Sequence, residues 1–208
     1  GDSRGRAYHA PSLEQKLGVS CFNLSYNSMD AVLLDAFFCD YLDHNAPPKM
    51  LIVEVSCSGE SIRQHLHSIK VLYSLSDRMR SILATNNKKE YNICALSNIY
   101  RYNSEFFMRA VMLFESDQGW MTNGVASPDV IQVILAVKDR QMNQPVDRER
   151  EALLHIKQTA EEAGCTVTFV MNPYMPGYFP PGVTESYCAQ LSNYIGPIWN
   201  YSGALDDF

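Results

Sequence analysis

The chain opens on Gly1-Asp2-Ser3, a tripeptide whose serine can act as a nucleophile where a tight strand-to-helix turn exposes its hydroxyl. Glycine permits such a turn, and the aspartate can hydrogen-bond across it. A serine hydroxyl attacks an acyl carbon only when a base, most often histidine, takes its proton. None of the five histidines (His9, His44, His65, His67 and His155) has an Asp or Glu three residues before it. His65 and His67 lie two apart, so on a helix they face different ways and make a poor metal pair. His44 suits a helix C-terminus, and His155 follows Leu153 and Leu154 as a residue at the edge of an apolar face. No metal ligand set and no cofactor-binding motif is read from the chain.

Glu54 stands out for a different reason. It interrupts the apolar run Met50 to Val55, where a carboxylate must be paired or face a cavity. Arg4, Arg6 and Arg101 are its conceivable partners, in a structural ion pair rather than a catalytic role. Trp120, Tyr174 and Tyr178 lie in loops, where aromatic rings either stack on sugars or pack locally; local packing is the expectation.

The elements that would position these residues follow from periodicity. A short helix is expected at Leu13 to Leu17, stopped by Gly18. Val19 to Leu24 has strand composition. Met29 to His44 carries apolar residues at helical spacing and ends at Asn45-Ala46-Pro47-Pro48. Met50 to Val55 reads as a strand covered on both faces. Two or more helices follow between Ser61 and Phe114, with a polar break at Thr85 to Lys89. Glu115 to Ser127 reads as a structured loop. Ser127 and Pro128 suit the N-cap and first turn of another helix. Val146 to Ala163 predicts an amphipathic helix, Thr166 to Met171 a strand, Thr184 to Tyr194 a helix and Ile198 to Tyr201 a last short strand. Alternating strands and helices predict an α/β fold with a mainly parallel sheet, whose chemistry gathers at the carboxyl ends of the strands. Those ends carry Ser25 to Ser28, Ser56 to Gly59 and Asn172 to Gly177.

The order of these segments resembles the SGNH (GDSL-like) hydrolases. In that superfamily Gly-Asp-Ser is followed by an Asn-x-x-x-x-Gly block and then by Gly-x-Asn-Asp after the next apolar strand. Here Asn23 to Ser28 and Ser56-Cys57-Ser58-Gly59 stand at those places. The chain is similar more narrowly to bacterial envelope proteins of surface-polysaccharide O-acetylation, through Gly1 to Gly5, Gly119-Trp120-Met121-Thr122-Asn123 and Asn172-Pro173-Tyr174.

The resemblance implies a three-layer α/β/α, flavodoxin-like fold as a single domain over residues 1–208, lacking a first strand and a C-terminal Asp-x-x-His segment. It implies Ser3 as nucleophile, with an oxyanion hole formed by the amides of Ser3 and Ser28 and by Ser58. Ser28 replaces a glycine that gives only its amide, which is a mild departure. Ser58 replaces an asparagine by a shorter donor. The implied activity is a serine-dependent carbohydrate esterase or O-acyltransferase acting on acyl esters such as acetyl. The alternative is a catalytically degenerate domain that binds glycan or protein. An acylated carbohydrate or other small ester is the implied substrate, and the implied location is the cell envelope or periplasm, with a cytoplasmic location the alternative. Any membrane attachment would use a segment outside this chain.

Composition bounds the rest. The 208 residues are 46% hydrophobic and 19% charged, which suits a folded globular core. The net charge of −6 and the absence of any basic cluster beyond Lys88-Lys89 argue against nucleic acid as a partner. The six cysteines show no C-x-x-C spacing and lie mostly in apolar runs, so buried thiols are expected, with one or two bridges the alternative.

Overall fold

The computed structural model describes residues 5, 8–25, 29–56, 69–102, 127–137 and 139–205. Two compact units divide the chain: residues 1–59 with 126–208, and residues 60–125.

The first unit is a mixed α/β structure. Its helix α1 spans Ala10–Leu17, starting earlier than its apolar residues suggest because Pro11 occupies the first turn, and it ends at Gly18 in the left-handed region (φ 65°). The stretch from Val19 to Leu24 is not a strand, contrary to its composition. Side chains take amides in and just after it: the Cys21 amide donates to Glu14 Oε1 (2.8 Å) and the following Ser25 amide to Asn23 Oδ1 (2.8 Å). Side chains thus occupy amides that a sheet ladder would need.

Helix α2 covers Ala31–His44 and is capped by the buried Asp30, whose carboxylate accepts from the Leu33 amide at 2.8 Å. His44 closes it as expected, its Nδ1 lying 2.8 Å from the Asp40 carbonyl. That hydrogen bond is the main reason its pKa is raised. Strand β1 is Met50–Glu54.

In the second unit a 3-10 turn at Lys70–Leu72 precedes α3 (Asp77–Asn86) and α4 (Lys88–Leu96). Ser76 and Asn87 cap the two helices, and the break between them falls where the polar run Thr85 to Lys89 predicts it. Cation–π contacts supplement its small apolar core of Ile69, Met79, Leu83 and Cys94. The Lys70 ammonium lies 4.6 Å from the Tyr100 ring centre, and the Arg101 guanidinium 4.8 Å from that of Tyr73.

Tyr100 donates to Glu90 Oε1 at 2.7 Å, and its pKa is pushed up to about 12, first by that bond and then by burial. A raised phenol pKa means that the folded state holds the proton more tightly than the unfolded one. The bond's contribution is therefore intact below the unfolded value of about 10 and is lost as pH rises through about 12. Denaturant titrations at increasing alkaline pH should show this loss, and Tyr100→Phe should remove it.

Returning to the first unit, α5 is Pro128–Leu135, with Ser127 as N-cap and proline in the first turn, as the sequence predicts. Helix α6 spans Asp147–Glu162, β2 Thr166–Met171, α7 Val183–Ile195 and β3 Ile198–Asn200. Val146 has no side-chain acceptor, so α6 starts on half of a capping box: Glu149 Oε2 accepts from the Val146 amide at 3.0 Å. Burial raises the Glu149 pKa, and the nearby charge of Asp30 adds to the effect.

For a carboxyl group raised in this way, the stabilising contribution is largest below the ordinary carboxylate range and is lost as pH rises through the folded value. At neutral pH Glu149→Gln should therefore match or exceed the parent in stability, since an amide oxygen can still cap Val146. Glu149→Ala should cost about 1 kcal/mol. Thermal melts of the two variants separate capping from charge.

The three strands form one parallel sheet in the order β1-β2-β3, with Met50 opposite Thr166 and Phe169 opposite Ile198. Helix α2 packs on α6, α6 on β2 and α7, and α7 on β3. Between them they bury Leu33, Phe38, Leu153, Ile156, Phe169, Met171, Tyr187 and Leu191. The expectation of a strand covered on both faces holds for only part of β1. Consecutive residues Val53, Glu54, Val55 and Ser56 are buried, whereas Met50 and Ile52 are 57% and 48% exposed. Strands β1 and β2 are thus buried toward their carboxyl ends and more exposed toward their amino ends. Among the described residues no helix is long and apolar enough to cross a membrane.

Candidate functional site

In parallel sheets, strand ends and the loops after them collect polar groups because backbone pairing stops there. At the carboxyl edge of this sheet, β1 delivers Glu54 and Ser56, β2 delivers Asn172, and the chain after β3 delivers Ser202. All four are buried. Glu54 Oε1 accepts the Ser56 amide at 3.1 Å, and the Tyr187 hydroxyl donates to the Val55 carbonyl at 2.7 Å. Ser202 Oγ donates to Thr184 Oγ1 at 2.8 Å. Tyr8, from the N-terminal segment, donates its hydroxyl to Asn172 Oδ1. Burial raises the Tyr8 pKa, with the negative charge of Glu54 the next cause, so the phenol stays a donor at neutral pH.

Asn23 organises the N-terminal segment. Its Nδ2 donates to the carbonyls of Gly5 (2.9 Å) and Tyr8 (2.7 Å), while its Oδ1 accepts the Ser25 amide. The Tyr8 amide returns to the Gly5 carbonyl at 3.2 Å, closing a turn. Gly5 is buried in this turn. A Cβ there would overlap Ser25 Oγ, sit 3.1 Å from Ser25 Cβ and reach Glu54 Cβ at 4.0 Å. The backbone at Gly5 therefore lies directly against the Ser25 side chain, with Glu54 within reach of an added methyl group, and a larger residue fits only if Ser25 shifts.

Ser3, Ser28 and Ser58, the residues expected to carry the chemistry, lie outside the described residues, as do Arg4, Arg6, His65, His67, Cys57 and Trp120. Their described neighbours Gly5, Ser25, Glu54 and Ser56 are brought together as set out above. Reading the sequence missed Asn23 as the organiser of this region. The signal was available, because it is the asparagine of the Asn23 to Ser28 block.

Tyr174 and Tyr178 pack locally, as expected. Their rings stack at 5.5 Å, Phe179 meets both edge-on, and the Arg140 guanidinium covers Tyr178 at 4.1 Å. The cavity beside them, lined in part by Thr184, Glu185 and Ser202, is about 80 Å³. Cys94, Cys165 and Cys188 are buried thiols with pKa raised by burial, that of Cys188 to about 11. They remain protonated and are poor nucleophiles.

His155 has the carboxylate partner that a general base needs, with Asp35 Oδ1 2.7 Å from its Nδ1. Its location is unsuited to the strand-end site. It lies eight residues into a helix that runs back toward the amino edge of the sheet, or about 12 Å along the helix axis. Reading the sequence missed this pair, because Asp35 and His155 are distant in the chain and meet only through the packing of α2 on α6.

No protein-family model matches the chain, and neither the curated proteins nor the solved structures contain a match to it.

Proposed function

We propose that this protein is a serine-dependent carbohydrate esterase or O-acyltransferase of the SGNH type, built on a three-layer, flavodoxin-like sheet. The observation that carries the reading is the meeting of Gly5, Ser25 and Glu54 at the carboxyl edge of the sheet, held by Asn23. These residues flank the three segments in which Ser3, Ser28 and Ser58 stand. The contiguous parallel order β1-β2-β3 also fits the 3-4-5 half of a 2-1-3-4-5 sheet.

In this reading Ser3 Oγ attacks the acyl carbonyl while a histidine takes its proton. The amides of Ser3 and Ser28 and the hydroxyl of Ser58 hold the oxyanion. Collapse of the tetrahedral intermediate expels the sugar oxygen, which recovers the proton from the histidine. The acyl group then passes from Ser3 to water in an esterase, or to a second sugar hydroxyl in a transferase. The histidine would come from an Asp-x-x-His segment that these residues do not supply.

The test is covalent trapping. A fluorophosphonate should add to Ser3 of the native full-length protein, fluoride leaving as the Ser3 Oγ–P bond forms, and peptide mass spectrometry should locate the adduct there. No adduct, or an adduct at another serine, would overturn the assignment and leave the glycan- or protein-binding reading.

A further inference from the structure

The α2–α6 interface holds a second cluster, away from the strand ends. Asp35 and Cys39 are four residues apart on α2 and so share one face, and His155 reaches them from α6. Asp35 Oδ1 is 2.7 Å from His155 Nδ1 and 3.5 Å from Cys39 Sγ, and the three donor atoms all lie within 4.8 Å of one another. Cys39 is buried, Asp35 is partly covered and the His155 side chain is 54% exposed, which leaves a path in from solvent.

We propose that Asp35, Cys39 and His155 form a three-ligand site for a Zn²⁺ ion, with water in the fourth position. One thiolate, one imidazole and one carboxylate make a set of borderline softness that suits zinc and disfavours Mg²⁺ or Ca²⁺, which take oxygen ligands. The thiolate and the carboxylate together neutralise the dication. Three protein ligands and one open position is the count found where zinc is reactive rather than purely structural.

Thr159 stands where a zinc-binding histidine's outer partner, commonly a carboxylate, carbonyl or water, would be. Its Oγ1 lies 3.4 Å from His155 Nε2, placed to accept once that nitrogen carries the proton. Metal entry then releases the Cys39 thiol proton to solvent, and the proton between His155 Nδ1 and Asp35 moves to Nε2. This site is independent of the acyl-transfer reading, since none of its residues belongs to the strand-end cluster.

Titration of the reduced, metal-free protein with Co²⁺ tests the site. The expected result is one tightly bound equivalent with a thiolate-to-cobalt charge-transfer band and strong tetrahedral d–d bands, both lost on adding Zn²⁺. Cys39→Ser should abolish the charge-transfer band. Thr159→Val should weaken Zn²⁺ binding about 10-fold or more, and His155→Gln by more than that. His155 is half exposed, so its substitution leaves the fold intact, which far-ultraviolet circular dichroism would verify. Absence of the band, its survival in Cys39→Ser, or parental affinity in His155→Gln would overturn the proposal and leave an ordinary hydrogen-bonded contact between two helices.

Discussion

In Ser3→Ala, turnover of a small acetyl ester by the full-length protein is expected to fall by about 10³-fold or more. In the proposed reading the substitution deletes the oxygen that would form the acyl bond. It keeps the backbone amide, so one oxyanion donor and the substrate contacts persist, and the residual rate reports on them. Ser58→Ala removes a donor but no bond-forming atom, and its cost should be smaller, about 10²-fold. Ser28→Gly should change little, because the proposed reading uses only an amide there. Steady-state kinetics on the three variants therefore give a ranked series. Equal loss at all three positions, or turnover that survives Ser3→Ala, would refute the assignment.

Asn23→Ala should lower folding stability by about 2–3 kcal/mol. One side chain closes three hydrogen bonds, to the carbonyls of Gly5 and Tyr8 and from the amide of Ser25. Each such bond contributes about 1 kcal/mol, and partly buried carbonyls left without a donor add to the cost. The Ser20 hydroxyl, which reaches only Glu14 at an exposed position, provides a control. Ser20→Ala should stay within about 0.5 kcal/mol of the parent. Denaturant unfolding measures both. If acyl transfer occurs at the strand ends, Asn23→Ala should also lose turnover without touching substrate, since Asn23 holds the turn that begins at Gly5. A stability loss with unchanged turnover would separate that turn from the chemistry.

Much of the fold is legible from local pattern. Strand β2 starts and stops where its β-branched run does, and α6 falls within one residue of the predicted Val146 to Ala163 at each end. Val19 to Leu24 illustrates where the pattern fails. Its composition is that of a strand, but strand formation depends on free amides, and Glu14 and Asn23 compete for those at Cys21 and Ser25. Composition cannot reveal that competition, because it depends on which side chains arrive. The strand-end cluster was legible as polar loops after apolar strands, since parallel topology gathers polar groups at the carboxyl ends. The Asp35–Cys39–His155 cluster had no such signal. It is a product of helix packing, and only its i, i+4 half on α2 is visible in the sequence.

The pairing of Met50 with Thr166 also constrains how the molecule is made. More than half of the chain separates the two strands, and the whole second unit is synthesised between them. On a ribosome, β1 emerges long before β2, its neighbour in the sheet among the described residues, and must wait without that partner. If residues 60–125 compact during that interval, they shorten the span that β1 and β2 must close and reduce its entropic cost. Substitutions that slow the assembly of the Tyr73, Tyr100 and Arg101 cluster would then lengthen the exposure of β1 and lower the yield of folded protein, even where the finished sheet is untouched.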